Sequence, residues 1–322
     1  NIIAAYGIYS VKWSKYGFSG GLRLEQTFTE SKQITTNERV PFNYFAPFPS
    51  FHFSRYFEKN REIRLGYSRR INRPGPRELN PFAEYNDPFN LMFGNPRLRP
   101  EFTHSVELGF IKIGKKYSFS PTLYYRFNNQ MITRFRTVDA EGVTRTTFQN
   151  LNSSHNIGFE MNASYDLAKF WKVNANTNFY YSYLNGTNLE GAQTNNTYGL
   201  TMRVNNTIKL PYGIDAQFSY SFWRWAMLQG VMSPVNAFDL GAKKDILKGK
   251  GSLTLRLSDI FNQRAWDMET RGFNFNSDMY RKRESRILFI GFTYRFGNSK
   301  MEQKRQNRRE GGGDEGGGMD EF

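Results

Sequence analysis

Ser285 to Phe296 reads SRILFIGFTYRF. At a period of two it sets Leu288, Ile290, Phe292, Tyr294 and Phe296 on one face, with Gly291, Thr293 and Arg295 facing the other way. A strand that is apolar on one side, small or polar on the other and closed by aromatics has two natural settings. It is part of a soluble sandwich or one stave of an outer-membrane barrel. The remainder of the chain decides between them.

The same alternation recurs upstream. Phe18, Leu22, Leu24 and Phe28 oppose Ser19, Gly21, Arg23, Glu25 and Thr27. Ile63, Leu65 and Tyr67 oppose Glu62, Arg64 and Ser68, and Val106, Leu108 and Phe110 oppose Ser105, Glu107 and Gly109. Further along, Arg126, Glu160, Lys172, Arg203, Asp215 and Arg256 each fall on the polar side of an alternating block. These blocks are about 9 to 13 residues long, the length of a tilted membrane strand rather than of an ordinary globular one. A polar face of Asn, Ser, Thr and full charges is what a wetted lumen requires.

Composition agrees. The chain has 322 residues, no Cys, 19 Tyr and 30 Phe, with a mean hydropathy of -0.66. No stretch reaches the ~18 consecutive apolar residues of a spanning helix, whereas barrel strands escape hydropathy averages because only alternate residues meet lipid. Zero Cys removes disulfides, thiolate metal sites and cysteine nucleophiles. The net charge of +15 could suggest nucleic acid, but Gly297 onward holds 5 basic and 6 acidic residues, and the excess upstream forms no basic run. Asn1 is no initiator and no leader follows it, so a leader has been removed or the chain is part of something longer.

The connections are sorted as the strands are. Short turns at Ser14–Lys15, Glu58–Asn60, Gly114–Lys116, Asp166–Phe170, Leu210–Gly213 and Lys244–Lys250 alternate with long loops at about 30–48, 70–101, 184–196, 224–234 and 260–284, plus a hairpin extension around Asp139 to Gly142. A sandwich has no reason to separate short from long in this way. Counting back from the last strand gives about 13 strands, so an all-antiparallel sheet cannot close on itself, which requires an even number. The expectation is an all-β, antiparallel transmembrane β-barrel of which residues 1–296 are the C-terminal portion, followed by a disordered, charged and Gly-rich tail over 297–322 in the periplasm.

At Ser68 to Phe102 the sequence is SRRINRPGPRELNPFAEYNDPFNLMFGNPRLRPEF. With its S-R-R strand end, R-P, L-N-P, D-P and G-N-P-x-L-x-P-E elements, it resembles the barrel of TonB-dependent receptors, particularly the outer-membrane β-barrel receptors of Bacteroidota. FPSFHFSRYF at Phe48 to Phe57 and the GFTYRF ending are similar to the same family. The resemblance implies a barrel of about 22 strands, of which this chain supplies the last 13 or so, around an N-terminal plug. It implies active uptake of a bulky nutrient across the outer membrane of a Gram-negative bacterium. The partners are then outer-membrane lipid, the chain's own plug and first strands, a TonB-type motor acting through a segment outside this sequence, the barrel-assembly machinery and lipoprotein partner subunits. No cofactor, enzymatic activity or nucleic acid is implied. The alternative is a structural barrel subunit of a larger outer-membrane assembly without transport activity.

The site expectations follow. The prolines of 70–101 stiffen that loop, and its motif residues Asn80, Pro81, Gly94, Asn95, Pro96, Pro100 and Glu101 either fold it over the rim or hold Arg73, Arg77, Tyr85, Arg97 and Arg99 toward ligand. Trp266 is the candidate ligand contact of loop 260–284. Trp13, Trp171, Trp223, Trp225 and Trp266, with Tyr180, Tyr181 and Tyr183, read as interfacial girdles where they close strands, ligand contact being the alternative for Trp266. Arg23, Glu25, Arg64, Glu107, Arg126, Glu160, Lys172, Arg203, Asp215, Arg256 and Arg295 read as lumen residues facing the plug. Gly291, Tyr294 and Phe296 resemble a barrel-assembly signal, although Phe289 stands where a polar residue is expected. His52, His104 and His155 lack metal-ligand spacing, and no catalytic constellation is present.

Overall fold

The computed structural model describes residues 1–32, 39–83, 87–191 and 193–296; the expected tail 297–322 and Tyr85 lie outside the described residues. The chain begins with β1 (Ile2–Trp13), β2 (Tyr16–Lys32), β3 (Arg39–Phe57) and β4 (Arg61–Asn72), then one helical turn, α1 (Pro76–Leu79), and β5 (Asn90–Met92). β6 (Glu101–Ile113) and β7 (Tyr117–Asn129) precede a hairpin of β8 (Ile132–Val138) and β9 (Thr144–Asn150). β10 (Ser153–Ala168), β11 (Trp171–Gly186), β12 (Gln193–Leu210), β13 (Ile214–Arg224), β14 (Val231–Met232) and β15 (Val235–Ile246) follow. The last are β16 (Gly251–Leu257), β17 (Ala265–Arg271), β18 (Asn276–Lys282) and β19 (Leu288–Tyr294).

Thirteen of these form one sheet in the order β1-β2-β3-β4-β6-β7-β10-β11-β12-β13-β15-β16-β19, every neighbouring pair antiparallel. Short turns close one end and the long connections close the other. Two small sheets, β5-β9-β8 and β14-β17-β18, are built from the long connections.

Register turns the sequence alternation into two continuous faces. On one, Leu108 meets Leu123, Leu123 meets Phe159, Phe159 meets Phe179 and Phe179 meets Leu200. On the other, Glu160 meets Thr122 and Asn178, Arg203 meets Asn176 and Ser221, and Lys243 meets Asp215 and Thr254. A slip of one residue in any strand would exchange the two faces. The apolar face stays open to its surroundings, with Leu108, Leu123, Ile157, Phe179, Leu253 and Phe292 all exposed. An oily surface of that size is incompatible with a water-facing exterior.

Both margins are bare. Among the described residues β1 pairs only with β2 and β19 only with β16, and every residue of both strands is exposed. Parity accounts for this, because the first and last of thirteen antiparallel strands run the same way.

Three details differ from the sequence reading. Residues 30–48 were expected to be a loop, yet β3 starts at Arg39 and extends the β2 hairpin. Its Pro41, Pro47 and Pro49 lie above Ser50, where β3 pairs with β2 alone, so the missing donors fall on an edge that tolerates proline. The last strand starts at Leu288 rather than Ser285 because Ser258 binds the preceding residues: its Oγ donates to Ser285 O (2.8 Å) and its N donates to Ile287 O (3.0 Å). Third, Trp223 and Tyr180 are not girdle residues. Register places Trp223 opposite Thr201 and Tyr180 opposite Gly158 and Gly199, on the polar face; each lies an even number of residues from a polar-face neighbour, Ser221 and Asn178.

Candidate ligand-binding face

The polar face carries its charges in pairs. Glu25 is buried and is held by Arg23 (Nε donating to Oε1, 2.6 Å) and by Arg73, which also donates to Tyr44 Oη (2.9 Å). Arg64 grips Glu62 through Nε and Nη2 (2.5 and 3.0 Å). Arg126 reaches Glu160 (3.0 Å) and Glu107 (3.6 Å) while its guanidinium lies over the Tyr124 ring. Asp239 receives Arg256 (3.4 Å) and Arg264 (3.6 Å). Lys172, Arg203 and Asp215 line hollows in the same wall, one of about 510 Å³ and another, beside it, of about 440 Å³. The expected lumen residues from Arg23 to Arg256 therefore do share one face, and most of its carboxylates are neutralised within the wall.

Above this face the long connections form a cap. Gly94 makes a close approach within the described part of 73–100: its N donates to Asn80 O and Asn95 N donates to Glu78 O, both at 2.6 Å. Asn95 also fastens the loop to the β8–β9 hairpin, Nδ2 donating to Phe148 O (3.1 Å). Asn150 donates to both Arg99 O (2.9 Å) and Gln130 O (2.7 Å). Leu98 and Pro100 are buried while Arg97 and Arg99 point away, and Glu101 accepts from Asn72 and from Ile132 N. Arg73 is committed to Glu25, and Arg77 Nη2 lies 3.9 Å from Met92 Sδ. Asn80 turns its Oδ1 onto Phe82 N (3.2 Å), and Pro81 and Pro96 line a cleft beside it.

The hairpin and the later loops are joined through a small core of Phe135, Leu151, Leu184 and Leu228. Beside it, buried Gln229 mimics a strand partner: Arg136 N donates to its Oε1 (2.9 Å) and its Nε2 donates to Arg136 O (3.0 Å). Gln229→Leu should cost the cap about 2 kcal/mol, because two backbone groups lose their partner. Hydrogen exchange at Arg136 checks this; an unchanged rate would show that Gln229 does not hold the loops together.

The connection after β16 is organised by Asp259, which is fully buried with φ 46, a left-handed conformation that Asp tolerates. Its carboxylate accepts from Gln263 N (2.9 Å), Arg264 N (3.0 Å) and Ser285 Oγ (2.5 Å), and its own N donates to Asp239 Oδ1 (2.8 Å). Burial alone would raise its pKa, but the Ser285 hydroxyl, the two backbone N–H groups and the Lys282 charge outweigh it and hold the value below normal. A depressed folded-state pKa stabilises above the unfolded value of about 3.9 and is lost as pH falls through the folded one. Protease access to 260–284 should therefore rise below pH ~4, and Asp259→Asn should abolish that acid step.

This clasp sets Arg264 over the Trp223 ring (5.9 Å to its centroid) and places Trp266 parallel to Trp225, centroids 5.4 Å apart at 12°. Trp223 and Trp225 are 6.4 Å apart. Gly230 makes the approach possible at φ 103, since a Cβ there would sit 1.9 Å from Glu269 O. Among the described ligand candidates, Trp266 joins a group of tryptophans; Trp225 and Trp223 complete the group, and only the parity of Trp223 was visible beforehand. On the opposite, apolar face, His104 and His155 accept or donate through Nδ1 to the hydroxyls of Tyr67 (2.9 Å) and Tyr125 (2.8 Å), inside an aromatic band that continues to Tyr183. Trp13 and Trp171 stand at the short-turn end on the same side, consistent with two belts. Gly291 pairs with Thr254, and Tyr294 packs edge-on against Phe296; Arg295 follows the last strand.

The model of the outer membrane protein beta-barrel family matches residues 1–294. No curated protein matches. Among solved structures the chain is similar to the copper transporter OprC (15% identity, TM-score 0.65, 91% of this chain and 47% of that one). It is also similar to the ferric citrate transporter FecA in its unliganded form (12%, 0.64, 92% and 45%). The ferric yersiniabactin uptake receptor FyuA from Yersinia pestis gives 13% identity and a TM-score of 0.63 over 92% of this chain and 46% of that one. The chain thus spans about half the length of the solved structures it matches.

Proposed function

Because this chain belongs to the outer membrane protein beta-barrel family, and so lies in the outer membrane of a Gram-negative bacterium, we propose that it forms the C-terminal wall and outer loops of a TonB-dependent receptor that takes up a bulky nutrient. The observation that carries the proposal is the open, odd-numbered sheet with two bare margins. Along β1 alone, about six residues would turn an N–H and a C=O into hydrocarbon at several kcal/mol each, a cost on the order of tens of kcal/mol. Such an edge has to be sealed, and a partner of similar size seals it without reversing any strand. The paired charges of the polar face suit a wall packed against a soluble plug rather than an open channel, since a polar surface already neutralised needs only water and hydrogen bonds to receive another. Residues 297–322 would then hang in the periplasm, and Gly291, Tyr294 and Phe296 would be read by the assembly machinery.

The test compares growth of the wild type, a deletion strain and a strain without the TonB-type motor on limiting iron chelates, cobalamin, glycans and peptides. The deletion and the motorless strain should lose the same nutrient. A deletion that loses none, with the protein isolated in fixed ratio with other subunits, would replace transport by a scaffold role.

A further inference from the structure

We infer that Arg55, Arg61 and Lys112 form a binding site for the phosphate headgroup of an anionic phospholipid in the periplasmic leaflet of the outer membrane. The inference takes its membrane setting from the family and does not depend on transport. It goes beyond the receptor reading by assigning a lipid site to the outside of the wall.

Register brings the three side chains together. Phe57 faces Arg61, Arg61 faces Lys112 and Lys112 faces Phe119, while Arg55 faces Tyr16 on one side and Ile63 on the other. Ile63, Leu65, Leu108 and Phe119 share that parity and are exposed, so the row lies on the apolar face, beside the short turns at 58–60 and 114–116. Side chains directly opposed across two strands stand about 5 Å apart at Cβ and diagonal ones about 7–8 Å, which puts two guanidinium groups and an ammonium within reach of one phosphodiester. Aromatic rings form the floor. Arg55 lies over the rings of Phe57 (4.8 Å to the centroid) and Tyr16 (5.7 Å), and Lys112 Nζ lies over Tyr117 (5.4 Å).

What the cluster lacks decides its ligand. Like charges directly across a strand pair repel, and among the described residues none of the three cations belongs to an ion pair. Glu62, next to Arg61, is turned to the other face and held by Arg64. Glu58 offers Arg61 its backbone O, which accepts from Nε at 3.0 Å and leaves the two Nη groups for another acceptor. Arg69, at the long-loop end of the same face, shows the contrast: its Nη1 donates to Pro47 O (2.9 Å) and its guanidinium covers the Phe102 ring (4.6 Å). Cations over aromatic rings, at the periplasmic margin of a lipid-facing surface and short of an anion, fit a phospholipid phosphate. Lys59, Lys115 and Lys116 in the adjoining turns add charge of the same sign. A soluble acidic partner would have to strip lipid from Ile63, Leu65 and Leu108, whereas a phospholipid covers them with its acyl chains and meets the cations with its phosphate in one molecule.

The experiment uses the intact protein in detergent, with native mass spectrometry after titration with phosphatidylglycerol and, separately, with phosphatidylcholine of the same acyl chains. The wild type should prefer phosphatidylglycerol by roughly tenfold or more, and Arg55→Gln, Arg61→Gln and Lys112→Gln should each remove roughly fivefold of that preference, the increment expected of one cation at a charged lipid surface. Arg61→Lys should keep most of it. Lys244→Gln, a cation on the same face and at the same end that is flanked by Ile214 and Leu253, should leave it unchanged. Heat-modifiable migration checks that each variant is a folded barrel. No preference in the wild type, an undiminished preference in Arg61→Gln combined with Lys112→Gln, equal occupancy by free glycerol phosphate, stronger retention of lipid A, or a second copy of the chain held in place of lipid would each overturn the inference. Failure here leaves the receptor reading standing, because the site lies on the face away from the plug; lipid selectivity without motor-dependent uptake would sink the receptor reading and keep the site.

Discussion

Asp259→Ala should leave the barrel inserted in the outer membrane while releasing the connection from Ser258 to Ile287 to added protease. The substitution removes one buried carboxylate and strands three donors: Gln263 N–H, Arg264 N–H and the Ser285 hydroxyl. A buried donor without an acceptor costs about 1–3 kcal/mol, so local opening should become easier by on the order of 4 kcal/mol, roughly a thousandfold in the opened population. Asp259→Asn keeps one acceptor but turns an amide toward backbone donors, and should fall between alanine and the wild type. The readouts are the cleavage rate within 259–287 and heat-modifiable migration, which reports the barrel separately. The positioning of Trp266 depends on the same clasp, so the alanine variant should also lose the stacked-indole signature in near-ultraviolet circular dichroism. A protease-resistant loop in Asp259→Ala would mean that the β17–β18 hairpin, not the carboxylate, carries the connection.

Gly94→Val should have an effect of comparable size on the other side of the cap. A Cβ at Gly94 would lie 2.5 Å from Glu78 O, 2.6 Å from Asn80 N and 2.7 Å from Arg77 O. All three are backbone atoms, which cannot swing aside as a side chain can, so the two strands of the loop must separate and both 2.6 Å hydrogen bonds are lost. The expected cost is about 3 kcal/mol or more, seen as rapid tryptic cleavage after Arg77 or Arg97 in protein that still inserts. Gly75→Ala is the control: only Glu78 Oε2, at 3.7 Å, is near, and its backbone is ordinary extended chain at φ -78. Resistance of Gly94→Val to trypsin would show that the motif is not held by this close approach.

Local chemistry was legible from residues and long-range chemistry was not. The two faces could be read because lipid and water impose a period of two that survives in every strand, and the alternation of Ser, Thr and Asn with Leu and Phe records it directly. The hairpin at Asp139 was likewise visible: Asp139 Oδ1 accepts from Val143 N and Gly142 takes φ 81. The long loops concealed β5, β14, β17 and β18 because short strands in a cap are stabilised by partners far along the chain. Glu25 and Arg73 are 48 positions apart and Asp259 and Ser285 are 26 apart; no spacing rule connects them. By residue type Arg73 suggests a ligand contact and Glu25 a plug contact, whereas they bind each other. Trp223 could have been assigned by counting from Ser221, but its aromatic character suggested a girdle more strongly than its parity suggested the polar side.

Single cysteines along β12 test the two-faced wall most directly, and the absence of native Cys makes every one of them readable. In outer-membrane vesicles, probes at Thr201, Arg203, Asn205 and Thr207 should react with a charged aqueous maleimide and escape quenching by brominated lipid. Probes at Leu200, Met202, Val204 and Ile208 should do the reverse. Uniform accessibility along the strand, or a pattern with the opposite phase, would contradict a wall with lipid on one side and water on the other.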